Sequence, residues 1–108
     1  MSNNIYRGLR ETTAQHEQVL AQLNEERVSA LVRISKTLES LLVQLRVAHA
    51  RVADSSGEAR AREVIAYNDL RRHAARYRWY LEVQRESLGL RHHHRLDEFY
   101  RVPAAIDR

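Results

Sequence analysis

The sequence predicts an all-α protein built on a long antiparallel helical hairpin, which is a two-helix coiled coil followed by a short C-terminal helix or tail. Three observations lead to this prediction. Strong helix formers dominate the 108 residues, which include only three Gly and one Pro. Apolar residues in the first half recur three and four positions apart, and one cluster of turn residues divides the chain. A chain of this length forms one domain, residues 1–108.

The first helix is expected over about residues 12–53. Its apolar seam alternates three and four residues apart, as a heptad pattern does, and consists of Leu31, Ile34, Leu38, Leu41, Leu45, Ala48 and Val52. Leu20 and Leu23 continue the seam towards the N-terminus. Thr12 with Gln15 has the spacing of a capping box, whereas Asn3 or Asn4 would start the helix earlier. The sequence leaves both starts open.

The clearest turn is residues 54–57, Asp-Ser-Ser-Gly. Ser55 and Glu58 have capping-box spacing, so the second helix is expected over about residues 58–88. Gly89 suits the left-handed position after a helix, with Leu90 next to it. Because the turn is only four residues long, the two helices must run antiparallel.

The second helix has two apolar faces. The first is expected to meet the first helix and contains Ala59, Ala66, Leu70, Ala74, Tyr77, Leu81 and Leu88. The second lies on the opposite side and contains Ile65, Trp79, Val83 and Leu90. Apolar side chains of this size need a cover, which is either the C-terminal tail or another chain. These four residues are therefore the predicted protein interface.

The C-terminal segment, residues 91–108, is expected to form a short helix with Leu96, Phe99 and Tyr100 on one face. Pro103 would end this helix at or before Val102. Since a two-helix hairpin buries little apolar area, we expect a homo-oligomer, with a dimeric four-helix bundle as the simplest form. A different protein partner is the other way to cover the second face.

A nucleic-acid-binding function is the first alternative. The formal net charge is +4, and the basic residues are almost all Arg. Guanidinium groups neutralise phosphates, and neighbouring aromatic rings stack on unpaired bases. The candidate residues are Arg71, Arg72, Arg76, Arg78 and Arg85, of which Arg71, Arg78 and Arg85 lie seven apart on one flank. The same arginines would serve equally well in ion pairs on a solvated helix.

Metal binding is the second alternative. His92, His93 and His94 are consecutive, and the hairpin register places His16 at the same open end. Imidazole ligands suit zinc, copper or nickel. Consecutive histidines on a helix diverge by roughly 100° each, however, so they would need an irregular backbone to share one ion.

Other function classes lack support in the sequence. The chain has no Cys, and so no thiolate metal site, disulfide or cysteine nucleophile. No uninterrupted apolar stretch is long enough to span a membrane, and the N-terminus has no apolar signal region. We therefore expect a cytoplasmic, non-enzymatic structural or adaptor protein without a cofactor, which acts by self-association or by binding a partner protein.

Overall fold

The computed structural model describes residues 2–107, with side chains from residue 10 onward. These residues form three helices and no strand: α1 (Ser2–Ala53), α2 (Gly57–Ser87) and α3 (His94–Phe99). α1 and α2 pack against each other as a hairpin, and the molecule is elongated, with extents of 86 × 22 × 17 Å. The all-α hairpin prediction is confirmed. No helix in this part of the chain combines the length and the apolar character needed to cross a membrane.

α1 begins at Ser2, so the predicted start near Thr12 is wrong. The helix starts earlier, as the alternative predicted, but it already includes Asn3 and Asn4. The Thr12 hydroxyl donates to the carbonyl oxygen of Gly8 at 2.9 Å, one turn back along a continuous helix. Thr12 is therefore an interior residue, not a cap. Gly8 is a weak helix former but does not interrupt the helix.

The heptad seam of α1 forms the core, as predicted. Leu38 and Leu45 are fully buried, Ala48 and Val52 nearly so, and Leu31, Ile34 and Leu41 pack partly buried against them. On α2, Ala74 and Leu81 are buried, and Leu70 and Tyr77 are half-buried, also as predicted. Two members of the predicted α2 face, Ala59 and Ala66, are exposed instead.

α1 is much longer than its partner helix. At 1.5 Å per residue, its 52 residues extend about 78 Å, whereas the 31 residues of α2 extend about 46 Å. The N-terminal part of α1 therefore passes beyond the end of α2. All side chains of residues 10–29, which we call the arm, are exposed.

The turn between the long helices differs from the predicted capping box. The N-cap of α2 is Ser56, and the Ser55 hydroxyl donates to the carbonyl oxygen of Arg51 at 2.7 Å. Ser55 thus satisfies the end of α1 and does not cap α2. Glu58 nonetheless lies in the first turn of α2, where a carboxylate is favourable next to the helix dipole.

The C-terminal end of α2 agrees with the prediction. Gly89 has a φ of 83°, and its amide donates to the Glu86 carbonyl oxygen at 2.9 Å. The Leu90 amide donates to the Arg85 carbonyl oxygen, also at 2.9 Å. These two bonds form a Schellman motif, which turns the chain back towards the hairpin.

Candidate functional site

The predicted interface on α2 is solvent-exposed. Ile65, Trp79 and Val83 lie on one side of the helix, and Leu90 follows its C-cap; between 40% and 59% of each residue is accessible, with Trp79 the most exposed of the four. We call these four residues the exposed stripe. On a helix of 3.6 residues per turn, the three helical members point away from the α1 contact. The stripe is therefore available for binding.

Trp79 is part of a row of three aromatic rings on α2. Its ring lies 5.7 Å from the ring of Tyr80, which in turn lies 5.4 Å from the ring of Tyr77 in an edge-on arrangement. Tyr77 packs against the core. Trp is among the residue types enriched at the centre of protein interfaces.

The C-terminal segment does not cover the exposed stripe. Leu96 is buried against the hairpin core, and Tyr100, Val102 and Ile106 pack partly buried beside it, whereas Phe99 is 70% exposed. Of the three residues predicted to share one face of this helix, Phe99 is therefore the one that does not pack against the core. The C-terminal tail, one of the two predicted covers for the stripe, packs on a different flank of α2.

Three arginines that lie seven residues apart fasten the segment to that flank. Arg71 Nε donates to the Pro103 carbonyl oxygen at 2.8 Å, and Arg85 Nη2 donates to the His92 carbonyl oxygen at 2.9 Å. Between them, Arg78 bonds to the carboxylates of Asp97 and Glu82, each at 2.5 Å. Along α2 these arginines meet acceptors that come progressively earlier in the C-terminal segment. The segment therefore runs antiparallel to α2.

Two further residues of α2 continue this contact. The Tyr67 hydroxyl donates to the Ala104 carbonyl oxygen at 3.0 Å. The Asn68 side chain makes two bonds to Ile106: Nδ2 donates to its carbonyl oxygen at 2.9 Å, and Oδ1 accepts from its amide at 3.0 Å. Val64 and Tyr67, which lie outside the predicted core face of α2, are each only 1% exposed. They are buried because the segment extends the core on this side of α2.

The segment also reaches α1. The Tyr100 hydroxyl donates to Glu39 Oε1 at 3.0 Å. Burial, and then the bond to the nearby Glu39 carboxylate, raise the pKa of Tyr100 above its ordinary value of 10.0. The phenol therefore keeps its proton, and with it this hydrogen bond, at neutral pH.

The arginines proposed to bind nucleic acid are largely engaged within the chain. Arg71, Arg78 and Arg85 bond to the C-terminal segment, and Arg72 pairs with Asp69 on the exposed side of α2. Arg76 is exposed, and within residues 10–107 it has no hydrogen-bond or ion-pair partner. The regular spacing noted in the sequence thus coincides with an intramolecular contact.

The histidines proposed to bind a metal are not assembled into a site. His16 lies on the exposed arm, and His93 Nε2 lies 3.1 Å from Glu86 Oε1 on α2. Within the part of the chain that the structure describes, no group of three or more His, Asp or Glu residues is placed to hold a metal ion. His92 and His94 are exposed on either side of His93.

Two other apolar surfaces are open on α1. The first is the seam of the arm, where Val19, Leu20 and Leu23 are 40% to 51% exposed. The second is the side of α1 away from α2, which carries Val28, Val32, Val43 and Val47, each nearly half exposed. The exposed seam of the arm corresponds to the continuation of the heptad pattern through Leu20 and Leu23 in the sequence.

These surfaces are suited to packing against another helix, because they are apolar, regularly spaced and carried on rigid α-helices.

Comparisons with protein families, curated proteins and solved structures found no match to this chain.

Proposed function

We propose that this chain is a non-enzymatic structural or adaptor protein that acts by self-association through the exposed stripe of α2. The observation that carries the proposal is Trp79, which is 59% exposed between Ile65 and Val83 while the C-terminal segment lies on another flank. An exposed Trp supported by neighbouring rings is a typical binding determinant. A hairpin that pairs through such a stripe forms a dimeric four-helix bundle.

Charge complementarity favours a second copy as the occupant. Arg72, Trp79 and Glu86 lie seven residues apart, so they share one face of α2. If two α2 helices pack antiparallel about a two-fold axis at Trp79, Arg72 of each copy lies opposite Glu86 of the other. Arg72 and Glu86 have side chains that are 68% and 58% exposed, so both can reach across. The half-buried Ala75 would then lie opposite Val83, which leaves room for close approach.

The first experiment measures molar mass by light scattering over a range of protein concentrations. We expect the native chain to be a dimer and Trp79→Ala to be monomeric at the same concentration, with its helicity by circular dichroism unchanged. Phe99→Ala is the matched control, because it removes an exposed aromatic ring outside the stripe. A native monomer, or a dimer that Trp79→Ala leaves intact, would contradict the proposal.

A charge exchange tests the orientation. The two-fold axis places two such pairs in the dimer, and each exposed pair contributes about 0.2–1 kcal/mol. Arg72→Glu and Glu86→Arg each break both pairs, so each should weaken the dimer by roughly 2- to 30-fold. The double variant should recover most of the loss, even though Glu86→Arg also removes the contact with His93. Additive losses in the double variant would mean that the two helices do not pair in this register.

Nucleic-acid binding through the five arginines stays a prediction. It requires retardation of RNA or DNA that weakens steeply between about 50 and 200 mM salt. Metal binding by His16 and the His92–His94 tract also stays a prediction, and it requires a copurifying metal that is lost in a His92→Ala/His94→Ala variant. The engagement of Arg71, Arg78 and Arg85 within the chain makes self-association the better supported function.

A further inference from the structure

A groove of about 380 Å³ lies between the C-terminal half of α1 and the C-terminal segment. It is separate from the exposed stripe. One wall comes from α1, through residues spaced i, i+3, i+4 and i+7 from Leu42 to His49. The other wall comes from the segment and includes Phe99 and Arg101. Its volume is in the range of small-molecule sites and is too small for a docked helix.

The floor of the groove is apolar and held in place. Leu45 and Tyr67 line it, and both are 1% exposed. The Tyr67 hydroxyl is fixed by its bond to the Ala104 carbonyl oxygen, and its ring meets the ring of His49 edge-on with centroids 6.0 Å apart. The shape of the floor is therefore set by the fold and would need little ordering by a ligand.

The rim is basic. Arg46 and Arg101 both line the groove and are exposed, and neither has a hydrogen-bond or ion-pair partner among residues 10–107. Glu98 is the one acidic residue that lines the groove. Elsewhere in the molecule, Arg71, Arg78 and Arg85 each have an intramolecular acceptor. Two uncommitted guanidinium groups at an apolar groove indicate an anionic ligand with an apolar body.

Phe99 identifies the type of apolar body. Its side chain is 70% exposed, although it borders the groove and belongs to a helix whose neighbour Leu96 is buried. A flat ring can pack against Phe99 and the apolar floor at the same time. A planar carboxylate accepts two parallel hydrogen bonds from one guanidinium group.

We propose that this groove binds a small aromatic carboxylate. Its ring packs against Phe99 and the floor, and its carboxylate accepts hydrogen bonds from Arg46 or Arg101. The site does not depend on self-association, because the stripe that carries the proposed dimer lies on a different face of the hairpin.

The test compares two probes of the same shape, 2-naphthoate and its neutral amide, by isothermal titration calorimetry of the full chain. We expect saturable binding of 2-naphthoate and roughly 10-fold weaker binding of the amide, since a charge-assisted bond is about twice as strong as a neutral one. Arg46→Gln and Arg101→Gln should together remove this preference. Arg62→Gln, an exposed arginine of α2 outside the groove, is the control and should bind as the native chain does.

The variants separate specific binding from nonspecific binding. Phe99→Ala should weaken both probes alike, because it removes the ring contact and leaves the arginines. Equal affinity for the two probes, or a preference that survives both arginine changes, would overturn the proposal. So would the absence of saturable binding up to about 1 mM probe. Circular dichroism of each variant establishes that the helices are retained, so that lost binding reports on the groove.

Discussion

Replacing Leu96 with Ala should release the C-terminal segment and leave the hairpin folded. α3 has only six residues, and a helix of that length does not form without tertiary packing. Leu96 is the most deeply buried side chain of residues 91–107, with 4% exposed. Its contacts with the core therefore contribute a large part of the free energy that holds the segment in place.

The expected cost follows from where Leu96 lies. Leu→Ala changes in protein cores cost about 2–5 kcal/mol, and the cost is lowest where the surroundings can relax into the space left. Leu96 lies on a short segment at the edge of the core, so we expect the lower half of that range, about 2–3 kcal/mol. At 1.4 kcal/mol per tenfold change, the segment should open about 30- to 140-fold more often.

Native-state hydrogen exchange measures this opening directly. The Ile106 amide donates to Asn68 Oδ1 at 3.0 Å, and the Tyr100 amide donates to the Leu96 carbonyl oxygen at 2.7 Å. Both amides should exchange faster by the stated factor, whereas those of buried α1 residues such as Leu38 should not change. Phe99→Ala in the same helix should change the rates by about 2-fold or less. An unchanged Ile106 rate in Leu96→Ala, or an equal effect of Phe99→Ala, would refute this account of the docking.

Three further predictions concern single interactions. Gly89→Ala should destabilise the protein by about 1–2 kcal/mol, because the φ of 83° is strained for any residue with a Cβ. Gly8→Ala should instead stabilise α1 by up to about 1 kcal/mol, because Gly8 lies inside the helix and an added Cβ would meet open space. Thermal unfolding followed by circular dichroism measures both changes. Arg78→Gln should cost about 1 kcal/mol in urea unfolding at low salt, because its side chain is only 15% exposed and it joins α2 to Asp97. Arg72→Gln, at a mostly exposed pair, should cost less than half as much, and equal costs would contradict the difference in burial. Because the folded-state pKa of Tyr100 is raised, the stabilisation that this phenol contributes is complete below pH 10.0 and is lost as the pH rises through the higher folded-state pKa. Tyr100→Phe should abolish this part of the loss of stability at alkaline pH. Unfolding measurements on either side of about pH 10 detect the difference.

The hairpin could be predicted because its determinants are local. Leu38 and Leu45 follow a heptad period that is visible in the sequence. Gly89 marks the end of α2, because glycine is the residue type that adopts the left-handed conformation there most easily. The start of α1 could not be predicted in the same way. The spacing of Thr12 and Gln15 resembles a cap, but in the structure the helix continues through it to Ser2.

The burial of Val64 and Tyr67 could not be predicted from α2 alone. Both lie towards the flank that carries the three spaced arginines, which a helical wheel assigns to solvent. They are buried only because a distant segment packs there, and several of the hydrogen bonds that join it to α2 have carbonyl oxygens as acceptors, which leave no pattern in the sequence. The arginine spacing was visible, but it indicated phosphate and ion pairs equally well.

The seven-residue spacing of Arg71, Arg78 and Arg85 makes the protein sensitive to changes in length. An insertion of one residue between Arg71 and Arg78 would rotate one guanidinium group by roughly 100° relative to the other, so the two could no longer reach the same segment. The same insertion would shift the register of α2 against α1. An insertion of seven residues would keep the arginines on one face of α2. It would, however, move Arg71 and Arg78 roughly 10 Å further apart, while the distance between their acceptors on the C-terminal segment would stay the same. A seven-residue lengthening of α2 should therefore be tolerated only when the C-terminal segment lengthens with it, because α1 already extends beyond the end of α2.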